Sequence, residues 1–349
     1  MSNSNPSSYA APPTVWKDLP RRFLTVGIGV PGIALQMRYY FTSWLFFQVS
    51  HLICLLEWKN LIPPTGVEDC KKNDDVAGTS RAAAANGSNA NGTQQKVYAI
   101  LFDDKWNSLS DLERCEFYVF SFCSLTMTMI PTPLLPLAVM FAGISLRMIQ
   151  YIPKFQSSTS QSIHTIQHYQ FGLVYISTGF HYLLQIRRDG GARHIGCLLF
   201  IVWMSDTGAL ILGRLMNKYN NKNSNGKDGK RGVFLSFLKA ISPGKTIPGL
   251  IGGVVTGPIS SLLYPIEVPS SASLSSISFL HINNHILQKL ILGLILSAVG
   301  IIGDLAESSV KRMSGKKDSG GLLPGHGGVV DRFDSLFTAG IVYFYLILA

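Results

Sequence analysis

The segment 308–334, SSVKRMSGKKDSGGLLPGHGGVVDRFD, lies between two long apolar runs, 286–303 before it and 335–349 after it. It carries five cations (Lys311, Arg312, Lys316, Lys317 and Arg332), three carboxylates (Asp318, Asp331 and Asp334) and His326. Six glycines and Pro324 keep part of its backbone out of a helix and close to whatever binds there. A charged, glycine-rich hinge between two membrane-grade segments is costly unless it lines a wet site. The chain is therefore expected to hold a polyphosphate and metal site at a membrane surface.

Composition supports the membrane reading. Charged residues make up 14% of the chain and hydrophobic ones 47%, against a charged share of about 25% in soluble proteins. The net charge of +10 resides largely in short loops between apolar runs. It is read as an orientation signal rather than as a nucleic-acid footprint. The five cysteines (Cys54, Cys70, Cys115, Cys123 and Cys197) form no paired metal spacing and imply no disulfide framework.

The expected fold is an all-α polytopic membrane protein with about 8–9 transmembrane helices and its active site at the membrane interface. Residues 1–20 are Ser-, Asn- and Pro-rich and expected to be disordered. Residues 21–349 read as one membrane domain, interrupted at about 59–97 by a low-complexity insert containing KKNDD and AAAANGSNANGT. Apolar runs fall at 23–35 and 39–56, the second closed by Glu57, an interfacial acid or a site residue. The run 115–148 is broken by Pro131, Pro133 and Pro136 and reads as a helical hairpin. Further spans are expected at 171–186, 195–212 and 248–264. His164 and His168 have the i, i+4 spacing of a metal pair but no accompanying third ligand, and a structural role is expected. The Lys- and Arg-rich loop 214–245 is separated from segment 308–334 by two spans, so both should face the same side.

Two features point to chemistry. Asp206 lies inside an apolar run, where a carboxylate is a site candidate by default. Asp304 ends another such run, and the helix is expected to continue to about Gly315. Asp304, Ser308 and Lys311 or Arg312 then share one face. After the glycine turn, Asp331 opens the last helix, as a metal ligand facing Asp304 or as a helix cap. Oxygen ligands without thiols or imidazoles favour Mg²⁺ over zinc.

The same segment resembles the phosphatidate cytidylyltransferase (CDP-diacylglycerol synthase) family. It matches that family's signature S-x-V-K-R, four residues, K-D-S-G, then P-G-H-G-G-x-x-D-R-F-D-S. Trp203-Met204-Ser205-Asp206 with Ala209 and Gly213-Arg214, and Ser242-Pro243-Gly244-Lys245-Thr246 with Gly249, Gly252 and Gly253, are similar to two further family blocks. Leu210 stands where an aromatic is usual, and Ile247-Pro248 where Trp-Glu is usual.

The resemblance implies that CTP and phosphatidate are joined to give CDP-diacylglycerol and pyrophosphate, with Mg²⁺ held by Asp304 and Asp331. It implies catalytic roles for Asp304, Asp331, Lys311, Arg312, Lys317 and Asp318. It implies substrate-binding roles for Asp206, Arg214, Ser242, Lys245, Thr246, Ser308, His326 and Arg332. His326 is expected to contact pyrophosphate or fix the loop rather than act as a base, because the attacking lipid phosphate is already a dianion near neutral pH. The implied partners are CTP, phosphatidate and the lipid bilayer, with room for a homodimer and no nucleic acid. The form of the signature is closer to the bacterial and plastid branch than to that of the endoplasmic reticulum. The competing readings are another CTP-using membrane enzyme, such as a polyprenol or phytol kinase, and a transporter. A transporter would often show internal repeats, which this sequence lacks.

Overall fold

The computed structural model describes residues 38–61, 159–223, 241–242, 244–268, 285–316, 318–320 and 327–349, with single positions between 118 and 128. The N-terminal tail, the run 23–35, nearly all of the insert and most of the proline-broken hairpin lie outside the described residues. So do the side chains of His164 and His168.

The described residues form six α-helices and no strand: α1 (Tyr40–Asn60), α2 (Thr159–Gln185), α3 (Gly191–Asn223), α4 (Ile247–Leu263), α5 (His285–Met313) and α6 (Val330–Ile347). A π-turn, Ile186–Gly190, ends α2. Gly191 then takes φ 75°, a conformation that a side chain would strain, and the chain reverses into α3. Among the described residues, two helical stretches are long and apolar enough to cross a membrane: Val174–Met216, which includes this turn, and His285–Met313.

Side-chain pairings set the directions of the helices. Trp58 near the end of α1 packs on Phe171 in the middle of α2, and the Arg187 guanidinium beyond the end of α2 lies over Tyr40. Tyr175 and Tyr182 of α2 meet residue 334 and Tyr345 of α6, so those two helices run the same way. His194 at the start of α3 bonds Tyr343 near the end of α6. Along α3 and α4, Gly196 faces Tyr264, Gly208 faces Thr256 and Gly213 faces Thr246. Ser261 of α4 bonds the Lys289 carbonyl near the start of α5, and Lys311 near its end reaches Asp331 at the start of α6. Successive helices among these six therefore alternate in direction. The C-terminal end of α1 and the C-terminal halves of α3 and α5 gather with the N-terminal ends of α4 and α6 and with the middle of α2.

The core between α1, α2 and α6 is aromatic. Phe180 lies 6.4 Å from Phe47, 5.0 Å from Phe333 and 5.0 Å from Phe337, ring centre to ring centre. Such pairs contribute about 0.5–1.5 kcal/mol each beyond burial. Helix α4 has the reverse of a soluble helix's pattern. Its buried face is Gly249, Gly252, Gly253, Gly257, Ser260 and Ser261. Its outer face is Ile247, Ile251, Val255, Ile259 and Leu263, 41–68% exposed. Small residues inside let backbones approach, and aliphatic ones outside suit a hydrocarbon surrounding. At Gly257 a Cβ would lie 2.6 Å from the Gly293 carbonyl oxygen of α5.

Candidate active site

Helices α3 and α5 and the starts of α4 and α6 line a cavity of about 490 Å³. Five carboxylates (Asp206, Asp304, Asp318, Asp331 and Asp334) and four cations (Arg214, Lys245, Lys311 and Arg332) line it, together with Gly244, Thr246, Gly249 and Leu210.

The sequence before α4 builds one wall. The Lys245 amide donates to the Ser242 carbonyl at 3.1 Å, closing a turn. Thr246 then caps α4, its Oγ1 accepting from the Gly249 amide at 3.2 Å. This aims the amide end of α4 at the cavity, an arrangement suited to phosphate oxygens. The Lys245 Nζ lies 2.6 Å from Asp304 Oδ2 of α5. The stretch expected to be a loop from 214 is helical through 223 as part of α3, and its far end at 241–245 sits beside Asp304, on the side the expected topology requires. Arg312 also spans to that loop, its Nε donating to the Ile241 carbonyl at 3.0 Å.

The second wall is α5 against α6. Asp304, Glu307 and Asp334 offer oxygens that all lie within 4.8 Å of one another. Ser308 Oγ donates to Asp304 at 3.2 Å. Glu307 has no solvent exposure, and its Oε1 accepts no hydrogen bond among the described residues. A compact set of oxygen donors with an orphaned buried oxygen fits a hard divalent cation such as Mg²⁺. Lys311 joins the two helices, 2.6 Å from Glu307 and 2.8 Å from Asp331. Asp331 is further held by the amides of Gly328 at 2.8 Å and Ser319 at 3.2 Å. The Tyr175 hydroxyl donates to the Asp334 carbonyl at 2.7 Å and fixes that turn of α6 from α2.

The structure brings together most of the residues singled out from sequence. Asp206, Arg214, Lys245, Thr246, Asp304, Lys311, Asp318, Asp331 and Arg332 line the cavity. Ser242 and Ser308 support it from behind. Arg312 is not among the lining residues, because it is turned toward Ile241 and the Lys316 carbonyl. Lys317 and His326 lie outside the described residues. Asp304, expected to share an ion with Asp331, has its nearest carboxylate neighbours in Glu307 and Asp334 among the described residues. Asp331 is occupied by Lys311 and backbone amides, while Asp334, one turn further, faces α5. Glu307 was missed. Its signal was present: it lies three residues after Asp304 and four before Lys311, on the same helix face.

Comparison with known proteins gives these blocks a context. A family model described as "Cytidylyltransferase family" matches residues 104–349. The phosphatidate cytidylyltransferase of Staphylococcus haemolyticus is 40% identical over 163 residues, 47% of this chain and 52% of that protein. Those of Staphylococcus saprophyticus and Staphylococcus aureus are 39% and 37% identical over the same shares. The chain thus spans about half the length of the curated relatives it matches.

Proposed function

The chain belongs to the cytidylyltransferase family, and from that footing we propose that it transfers the cytidylyl group of CTP to phosphatidate, giving CDP-diacylglycerol and pyrophosphate. The observation that carries this reading is the mixed wall of the cavity. It presents cations and clustered carboxylates together with Leu210, an apolar side chain 56% exposed. Ile211 and Leu215 beside it are similarly exposed. Nucleotide phosphates and a lipid phosphate can meet there while acyl chains stay against apolar surface.

In this reaction an oxygen of the lipid phosphate attacks the α-phosphorus of CTP. A new P–O bond forms, the bond from the α-phosphorus to the bridging oxygen breaks, and pyrophosphate leaves with that electron pair. The attacking monoester has a second pKa near about 6 and needs no strong base. The chain's task is to align two anions and offset their repulsion. Lys245, Arg214 and Arg332 are assigned to the phosphates, with the amide end of α4. Lys311 holds α5 to α6 so that the carboxylates keep their spacing. Asp304, Glu307 and Asp334 would hold Mg²⁺, which when bound neutralises charge on the transferred group. The outward aliphatic face of α4 supports a membrane setting, in which about 8–9 spans are proposed. A bacterial inner membrane or plastid setting agrees with the bacterial relatives.

The test is reconstitution of the full chain into liposomes containing phosphatidate, with CTP labelled at either the α- or the γ-phosphorus. Label from the α position should enter the lipid, pyrophosphate should appear, and chelation of Mg²⁺ should stop both. Entry of γ-label into lipid would assign a CTP-dependent kinase and overturn the proposal.

A further inference from the structure

Glu57 lies in the last turn of α1, far from the signature in sequence and before the residues 104–349 that match the family. Its side chain has no solvent exposure. Its Oε2 accepts from the Val330 amide at 3.0 Å and from Ser319 Oγ at 3.3 Å. These donors sit on the two described ends of the segment that joins α5 to α6. Helix α6 begins after Val329, which has no capping side chain. The first amides of a helix need an acceptor and favour a negative charge. Glu57 supplies both from another helix. The fit is close on either side: a Cβ on Gly320 would lie 2.5 Å from Glu57 Oε1, and one on Gly328 would lie 2.6 Å from Oε2. Ser314 Oγ also donates to the Leu61 carbonyl just beyond α1, so α1 and the end of α5 are tied together.

We propose that Glu57 is a positioning residue for the active site, capping α6 from α1 and pinning both ends of the connecting segment. Asp318, next to Ser319, and Asp331, next to Val330, line the cavity. Movement of either end therefore displaces cavity-lining carboxylates without removing any of them. Glu57 itself does not line the cavity and touches no reacting group. The consequence for turnover rests on the proposed cytidylyl transfer, whereas the positioning itself does not.

The test uses the full chain in detergent, with Glu57→Ala, Glu57→Gln and Glu57→Asp. Hydrogen exchange of peptides covering 314–320 and 327–334 is compared with that of α4 and the middle of α5. Glu57→Ala should raise exchange in the two segments by about tenfold or more and leave α4 unchanged, as expected for loss of a charged acceptor. Turnover should fall by a similar factor. Glu57→Gln keeps an acceptor oxygen in place and should recover most of both effects. Should Glu57→Ala fail to fold, Glu57→Asp decides, because it keeps the charge and withdraws the oxygen by one bond. It should raise exchange in the same two segments. Wild-type exchange in Glu57→Ala or Glu57→Asp overturns the proposal. So does a uniform rise across all helices, or a Glu57→Gln variant indistinguishable from Glu57→Ala. If the wild-type chain makes no CDP-diacylglycerol, the proposed activity fails, and the exchange comparison still decides the role of Glu57.

Discussion

Replacing Lys311 with Met separates the charge that holds this site together from the charge that serves substrate. Met retains the bulk of the lysine stem, so packing changes little. What disappears is an ammonium 2.6 Å from Glu307 and 2.8 Å from Asp331, carboxylates with side chains 0% and 7% exposed. Asp331 keeps the amides of Ser319 and Gly328. Glu307 keeps no hydrogen-bond donor among the described residues. A buried acid that loses its cation takes up a proton rather than remain charged, so the expected loss is that of the ammonium's bonds to the two carboxylates, about 2–3 kcal/mol. Lys245→Met is the control. Its pair with Asp304 is 21% and 30% exposed, so its loss should cost at most about 1 kcal/mol. Unfolding of the purified variants in detergent measures stability, with cytidylyl transfer followed in parallel. Both variants should lose turnover, and only Lys311→Met should lose substantial stability. Adding Glu307→Gln to Lys311→Met should restore about 1–2 kcal/mol, since the unpaired acid is then gone. Equal destabilisation by the two lysine variants, or no recovery in the double variant, would refute the assignment of Lys311 as the link between α5 and α6.

Asp304→Asn and Asp334→Asn should each lower turnover by at least about 100-fold, the loss typical of one strong electrostatic stabiliser. Mg²⁺ titration of both checks this, and normal Mg²⁺ dependence in Asp334→Asn would return the ion to Asp331. Gly257→Ala should push α4 from α5 at the Gly293 carbonyl and cost about 1–3 kcal/mol, read from unfolding in detergent. Deleting residues 73–93, which precede the matched region 104–349, should leave turnover near wild type. A deleted chain that inserts normally yet fails to turn over would contradict that.

The helices and the ends at which they meet follow from apolar runs and their parity. The run 286–303 ends at Asp304, and the polar face of Asp304, Ser308 and Lys311 already implies the continuation that closes at Met313, before Gly315 with φ 67°. Choices between neighbouring residues did not follow. Lys311 and Arg312 are adjacent cations, and both were assigned to chemistry. On a helix of 3.6 residues per turn they point about 100° apart. One enters the cavity and the other turns to the loop before α4. Which does so depends on the rotation of α5, which is set by its contacts with α4 and α6. Asp331 and Asp334 pose the same problem one turn apart. Phe333 and Phe337 pack against Phe180, and Tyr175 holds the Asp334 carbonyl. Those contacts rotate α6 so that Asp334 faces Asp304 and Asp331 faces the connecting segment. No periodicity within 330–347 encodes that rotation, because the residues that impose it belong to α2.

Glu57 shows the limit of local reading in its sharpest form. An acid at the end of an apolar run is equally well explained by an interfacial position in a membrane. Its hydrogen-bond partner Val330 lies 273 positions later in the chain. What decides between the two roles is the pair of glycines, Gly320 and Gly328, whose missing Cβ atoms make room for the carboxylate. In the sequence these glycines read as turn formers, which they are in many loops. Their second use, leaving space for a side chain from another helix, becomes visible only when α1 is placed against α6. A glycine-rich signature beside a lone acid at a helix end therefore has a physical reading that neither feature carries alone: the loop is shaped around the acid. If the loop is shaped around the acid, Gly320→Ala, whose Cβ would meet only Glu57, should mimic Glu57→Ala in the exchange experiment, raising exchange at 327–334 although residue 320 lies outside that segment.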